Sequence, residues 1–269
     1  MTTGGPVTGG TLRQDNRRSP GTLAARSDLP PRVRSVLENL LEHSCNWFEP
    51  AIRRALDQVE DVLFGLAERA GNSGDQQRHF ESLREVKLAR ADMAPRFLQH
   101  VEASLAALRP AHVAKVSADT QPERSPLGLV DASLLEEDLA LQEIAGKAEV
   151  RNSLELNAFA QRLAVVAGTP TWSIDAMPLG PARLGEAFRH ALGPIDLDAE
   201  HRVLLYRQFD RAALLPIGMF YETANARLIG LRILPHLLPP SYRRSAAAQQ
   251  ASPPVDPEGA ARASVEAAS

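Results

Sequence analysis

PLGPARLGEAFRHALGPIDLDAEHRVLLYRQFDRAALLPIGMFYETANARLIGLRILP, from Pro178 to Pro235, is the stretch that decides the fold. It opens on a Pro-Leu-Gly-Pro turn and then repeats its apolar residues with the helical period. A short helix reaching Leu192 is expected, then a long one from Asp198 whose apolar face is Leu205, Phe209, Ala213, Phe220, Ala224 and Leu228. Pro216 and Gly218 should bend the long helix midway, since proline lacks an N–H and crowds the preceding turn. The period assigns Phe209 and Phe220 to a core, with Phe188, Tyr206 and Tyr221 completing an aromatic set. Tyr206, Asp210 and Asn225 are its polar neighbours: buried, they order helices as a satisfied network; exposed, they form a contact patch. Tyr206, Phe209, Asp210, Phe220, Tyr221 and Asn225 are therefore the candidate interaction or core network.

The same period extends upstream. Val33, Val36, Leu37, Leu40 and Leu41 form one helical face after the Pro30-Pro31 start. A separate second helix is expected after Pro50, carrying Ile52, Leu56, Val59, Leu63 and Leu66 and ending at Gly71-Asn-Ser-Gly74. A third is expected from Asp75 to Leu108, kinked at Pro95. Ser133 with Glu136 fits a capping box for a fourth, with Leu134, Leu135, Leu139, Ile144 and Ala145 on its apolar side. A fifth spans Leu154 to Ala167 and stops at Gly168-Thr-Pro170. Hairpin turns and sustained strand alternation are missing. The fold class expected is all-α, an irregular multi-helix bundle with disordered N- and C-terminal tails.

Composition sets the outer limits. Residues 1–29 read as a disordered arm and 241–269 as a disordered Pro/Ala-rich tail, because neither has enough apolar surface to offset chain entropy. Between them, 30–109 and 126–240 read as helical N- and C-terminal lobes joined by a polar linker at 110–125. A net charge of -3 argues against a nucleic-acid partner, and the absence of a long apolar run argues against a membrane span. One cysteine, Cys45, allows no internal disulfide, so a reducing, cytoplasmic setting is expected.

The chemistry-bearing residues read as structural. The seven histidines form no His-Glu-x-x-His and no Glu-x-x-His motif, so neither a metal nor any other cofactor is expected. Glu186 and His190, four apart, read as a helical ion pair. No glycine-rich phosphate loop follows a strand, and no Gly-x-Ser-x-Gly elbow exists. Cys45, between His43 and Trp47, reads as a packed thiol rather than a nucleophile. Glu136-Glu137-Asp138 read as solvated helix residues, adjacent and splayed. Arg84, Lys87 and Arg90 are interleaved with Glu81, Glu85 and Asp92, an ion-paired surface. No catalytic residue is assigned.

Several ordered blocks nevertheless resemble one bacterial family, the Domain of Unknown Function 1631 family. They are Met177 to Phe188, Val203 to Arg211, Tyr221 to Asn225 leading to Leu234-Pro235, and earlier Leu127 to Asp131 with Leu139 to Ile144. The likeness covers 31–240 and corresponds to the N-terminal part of such proteins. It implies two things: some members carry a downstream PilZ-like region that binds cyclic di-GMP, and some are labelled thymidine-phosphorylase-like. Here Asp131-Ala-Ser133 stands without the arginine lead or the glycine of a PilZ motif, so no cyclic dinucleotide site is expected. The phosphate loop that phosphorolysis needs is also missing. The expected function is a non-enzymatic helical regulatory or scaffold module acting through a protein partner. The alternatives are a part of a cyclic di-GMP-linked signalling protein whose sensor lies outside this chain, and an enzyme.

Overall fold

Pro30 precedes and Pro31 opens the first helix, where a missing N–H costs nothing. That helix, α1, runs unbroken over Pro31–Arg69, 39 residues. The separate second helix expected after Pro50 is therefore a continuation of the first. Pro50 lies on the solvent face, as does Asn46, whose carbonyl it frees, so water can satisfy that group. On the opposite face Phe48, Ala51, Ile52 and Ala55 are buried on both sides of the proline and anchor the continuous helix across it. The chain then reverses: the Asn72 side chain accepts from the Asp75 N–H at 2.8 Å and caps α2, Ser73–Ala106.

The computed structural model describes residues 21–108, 132–170 and 172–237, of which 132–134 by backbone alone. The linker expected at 110–125, the side chain of the proposed Ser133 cap and the tail from 241 lie outside them. Among the described residues all regular structure is helical, and there is no strand. The remaining helices are α3 Ala132–Arg151, α4 Ser153–Ala167, α5 Pro181–Leu192, α6 Ala199–Phe209 and α7 Ile217–Gly230. Gly168 closes α4 at φ 70°, a left-handed cap.

The long helix expected from Asp198 is divided into α6 and α7 by a π-helical turn, Asp210–Leu214. Pro216 explains the break: in continuous α-helix it would collide with the carbonyl of Ala212 and leave it unpaired. Widening the turn lets the Leu215 N–H reach the Asp210 carbonyl at 2.7 Å. Arg54 of α1 approaches the freed Ala212 carbonyl at 3.5 Å.

One buried cluster draws on all seven helices of the described residues. An aromatic chain runs through it. Phe48 of α1 meets Phe97 of α2 and Phe220 of α7, each at 5.3 Å between centroids. Phe97 meets Phe209 at 5.7 Å, and Phe209 stacks on Phe188 of α5 at 4.2 Å. At the other end Phe220 leads to Tyr221, and Tyr221 to Phe159 of α4. Burying a large apolar side chain contributes about 1.5–3 kcal/mol, so this chain of rings is a principal stabilising element. Leu23 and Leu29, which composition placed in the arm, are also buried, and the Leu23 N–H donates to Glu102 Oε1 at 2.9 Å.

Candidate functional site

The expected apolar face holds throughout: Leu205, Phe209, Ala213, Phe220, Ala224 and Leu228 are all fully buried. Tyr206 and Tyr221 are buried with them, Asn225 nearly so, and Asp210 is partly covered. Tyr206, Asp210 and Asn225 point inward but do not touch one another. Each instead ties the α6–α7 rod to the α3–α4 layer at a different height.

At the first tie the Tyr206 hydroxyl donates to Glu137 Oε2 at 2.8 Å, and Arg202 Nε stands 3.8 Å from the other carboxylate oxygen. Arg202 also donates to the carbonyls of Ile195 and Leu197, fixing the entry to α6. Burial, with the Glu137 carboxylate adding to it, pushes the Tyr206 phenol far above its usual range. At the second tie Arg151 stands 3.6 Å from Asp210 Oδ1, an ion-pair distance too long for a hydrogen bond. Burial raises the Asp210 carboxyl and Arg151 opposes that rise. At the third, Arg162 donates to Asn225 Oδ1 at 2.7 Å, and Asn225 Nδ2 donates to the Glu155 carbonyl at 2.9 Å. Arg162 is 4% exposed, its Nε has no partner, and no carboxylate among the described residues pairs with it. Burial lowers its proton affinity.

The Pro178 turn is held from the same rod. Leu179 takes a left-handed φ of 66° and its carbonyl accepts from the Tyr221 hydroxyl at 2.9 Å. Gly180 follows because a Cβ there would lie 2.8 Å from the Ile174 carbonyl oxygen. The Pro-Leu-Gly-Pro run is thus a packed corner.

Sequence reasoning missed Glu137, which is buried rather than solvated, and Arg162. Glu137 could have been found: it leads the stripe Leu141, Ile144, Ala148 at helical spacing, the face α3 turns inward. The corollary is that Leu135 and Leu139, expected on the apolar inner side, face solvent. Glu186 pairs with Arg183 rather than His190. Burial, then Glu49 and Glu102, pushes the Cys45 thiol up, away from a nucleophile's range. Arg90 pairs with Asp57 and with Glu60, joining α2 to α1.

A cavity of about 350 Å³ gathers four titratable groups, Glu136, Glu200, His201 and Arg207, on its wall. His201 has both ring nitrogens engaged: Nδ1 lies 2.7 Å from Ser82 Oγ and Nε2 lies 2.9 Å from His79 Nδ1. Neither is free to meet a substrate in this arrangement. Among the described residues no group of three or more His, Cys, Asp or Glu is placed to hold a metal ion, and no helix is long and apolar enough to cross a membrane.

Among the outward apolar residues, two groups lie close in the chain to the α3–α4 and α7 boundaries. Leu135, Leu139, Gly146 and Val150 share one stripe of α3, within about 60° of arc at 3.6 residues per turn. At its end Val150 is 79% and Leu154 58% exposed, two residues either side of Asn152. Asn152 Oδ1 comes so close to Gly218 that a Cβ there would meet it at 2.6 Å. Beside Gly218, Met219 is 63% and Leu215 55% exposed.

No curated protein and no solved structure matches the chain. The model of the Protein of unknown function (DUF1631) N-terminal domain matches residues 32–230, well over half of the chain, so the protein belongs to that family.

Proposed function

We propose that this domain is a non-enzymatic regulatory or scaffold module of the bacterial cytoplasm that works by helix-mediated contact with a protein partner. The observation that carries the reading is the group of exposed apolar residues Val150, Leu154, Leu215 and Met219 around the Asn152–Gly218 contact, with Leu135 and Leu139 in line along α3. Scattered exposed apolar residues are ordinary, but four at one helix junction are the raw material of an interface. The fold supports this from the other direction. The aromatic set is spent on the core, and the buried polar groups are spent on tying helices together. The outward face of α3 and the start of α7 are the surface offered to a partner.

The test is capture from a host lysate with the full chain as bait, compared with a Val150→Asp, Met219→Asp double variant. Both positions are exposed, so the variant should unfold at the same urea concentration as wild type. A partner retained by wild type and lost by the variant supports the reading; equal capture by both contradicts it. If that partner itself binds cyclic di-GMP, the module belongs to second-messenger signalling.

A further inference from the structure

Five of the seven histidines sit on a single seam, where the α1–α2 hairpin meets the helices that follow. His43 of α1 lies flat on Phe220 of α7, 4.7 Å away at 1°, with Nε2 3.2 Å from the Phe220 carbonyl oxygen. His79 of α2 meets His201 of α6 at 2.9 Å, and His201 reaches back to Ser82 of α2 at 2.7 Å. His100 of α2 stacks on His190 of α5 at 4.7 Å and 18°. α5, α6 and α7 each meet the hairpin through an imidazole.

We propose that this seam is a proton-operated clasp, closed while the His79–His201 pair holds at most one extra proton and released when both rings are protonated. The hydrogen bonds dictate that threshold. With neutral rings, one facing nitrogen carries the hydrogen and the other accepts it. A first extra proton is compatible with the geometry, because an imidazolium can donate to a neutral partner while the outer nitrogen of His201 donates to Ser82 Oγ. A second proton puts an N–H on both facing nitrogens at 2.9 Å and two positive charges side by side, one of them on a ring only 2% exposed. Every element around the pair contributes to the balance. Arg78 and Asp75 lie on α2, and Asp198 and Glu200 at the start of α6, with Asp198 Oδ2 3.8 Å from His201 Nδ1. Glu136 of α3 and Arg207 of α6 line the cavity that His201 borders, and α1 contributes the apolar Leu66. Those carboxylates help the first proton; none can relieve the facing N–H groups at the second. The other contacts act in the same direction. Burial lowers the proton affinity of His201, His100 and His43, with His79 opposing charge on His201, His190 on His100 and Arg227 on His43.

The full chain, labelled at histidine, tests this by following imidazole Cε1–H shifts and amide exchange, corrected for intrinsic rate, from pH 8 to 5. The pair should take up its two protons in separated steps. Protection across α6 and the His79–Ser82 turn should fall about tenfold or more with the second step, as one pKa unit of linkage gives. The helical circular dichroism should persist. His79→Gln, at a partly exposed position that should fold, cannot take the second proton and should stay protected at pH 5. Unchanged wild-type protection at pH 5, opening of His79→Gln at the wild-type pH, or loss of helical signal together with protection would each overturn the proposal.

Discussion

Single atoms decide the corner at Pro178 and the tie at Glu137. Tyr221→Phe removes one oxygen and leaves unpaired the buried carbonyl of Leu179, itself a strained left-handed residue. An unsatisfied buried acceptor costs about 1–3 kcal/mol, so the urea midpoint should drop by that equivalent at unchanged slope. No change in midpoint would show that water takes the hydroxyl's place. Tyr206→Phe strips Glu137 of its closest donor, leaving Arg202 at 3.8 Å. Glu137→Gln and Tyr206→Phe should therefore be non-additive, with a coupling of about 0.5 kcal/mol or more in a double-mutant cycle; strict additivity would mean the two groups do not share a bond. These residues also mark where sequence stops being legible. Tyr206 and Asn225 can be recognised as polar members of an apolar face. Their partners Glu137 and Arg162 lie 69 and 63 positions away, and no local pattern names them.

On the scale of an element, neighbours on α7 should behave as opposites. Phe220 is buried among His43, Trp47, Phe48 and Tyr221, whereas Met219 beside it faces solvent. Phe220→Ala should cost about 3–5 kcal/mol through lost burial and the cavity left behind. Met219→Ala should stay within about 0.5 kcal/mol; thermal or urea unfolding distinguishes them. Helical periodicity read this element correctly because its apolar stripe is continuous. It misread two others for physical reasons. Pro50 looked like a boundary because proline breaks helices in isolation, but on a solvent face flanked by buried residues it is tolerated. On α3, leucines occur on both faces, so counting them could not choose the inner one; the small residues Ala145 and Ala148, which let neighbours approach, mark it better than Leu135 or Leu139.

For the whole molecule, histidine placement sets the response to acid. His43, His100 and His201 hold protons less tightly in the folded chain than in the unfolded one. Each therefore stabilises the fold fully above the unfolded value, about 6.5, and that contribution is lost as pH falls toward the depressed folded value. Thermal stability should accordingly decline as pH falls below about 6.5; a flat profile below it would contradict the burial of these rings. The all-helical class and the aromatic core were readable from composition and period. That the hairpin and the later helices share one core was not, since the contacts span a break in helical sequence that says nothing about what lies across it. The two tryptophans fall on opposite sides of that break, Trp47 on α1 and Trp172 between α4 and α5. Urea unfolding of Trp47→Phe and Trp172→Phe, each followed by its remaining tryptophan and by far-ultraviolet circular dichroism, reports each side separately. A shared core requires fluorescence and circular dichroism to give one coincident midpoint within each variant; midpoints that separate, with one side unfolding while the other persists, would contradict it.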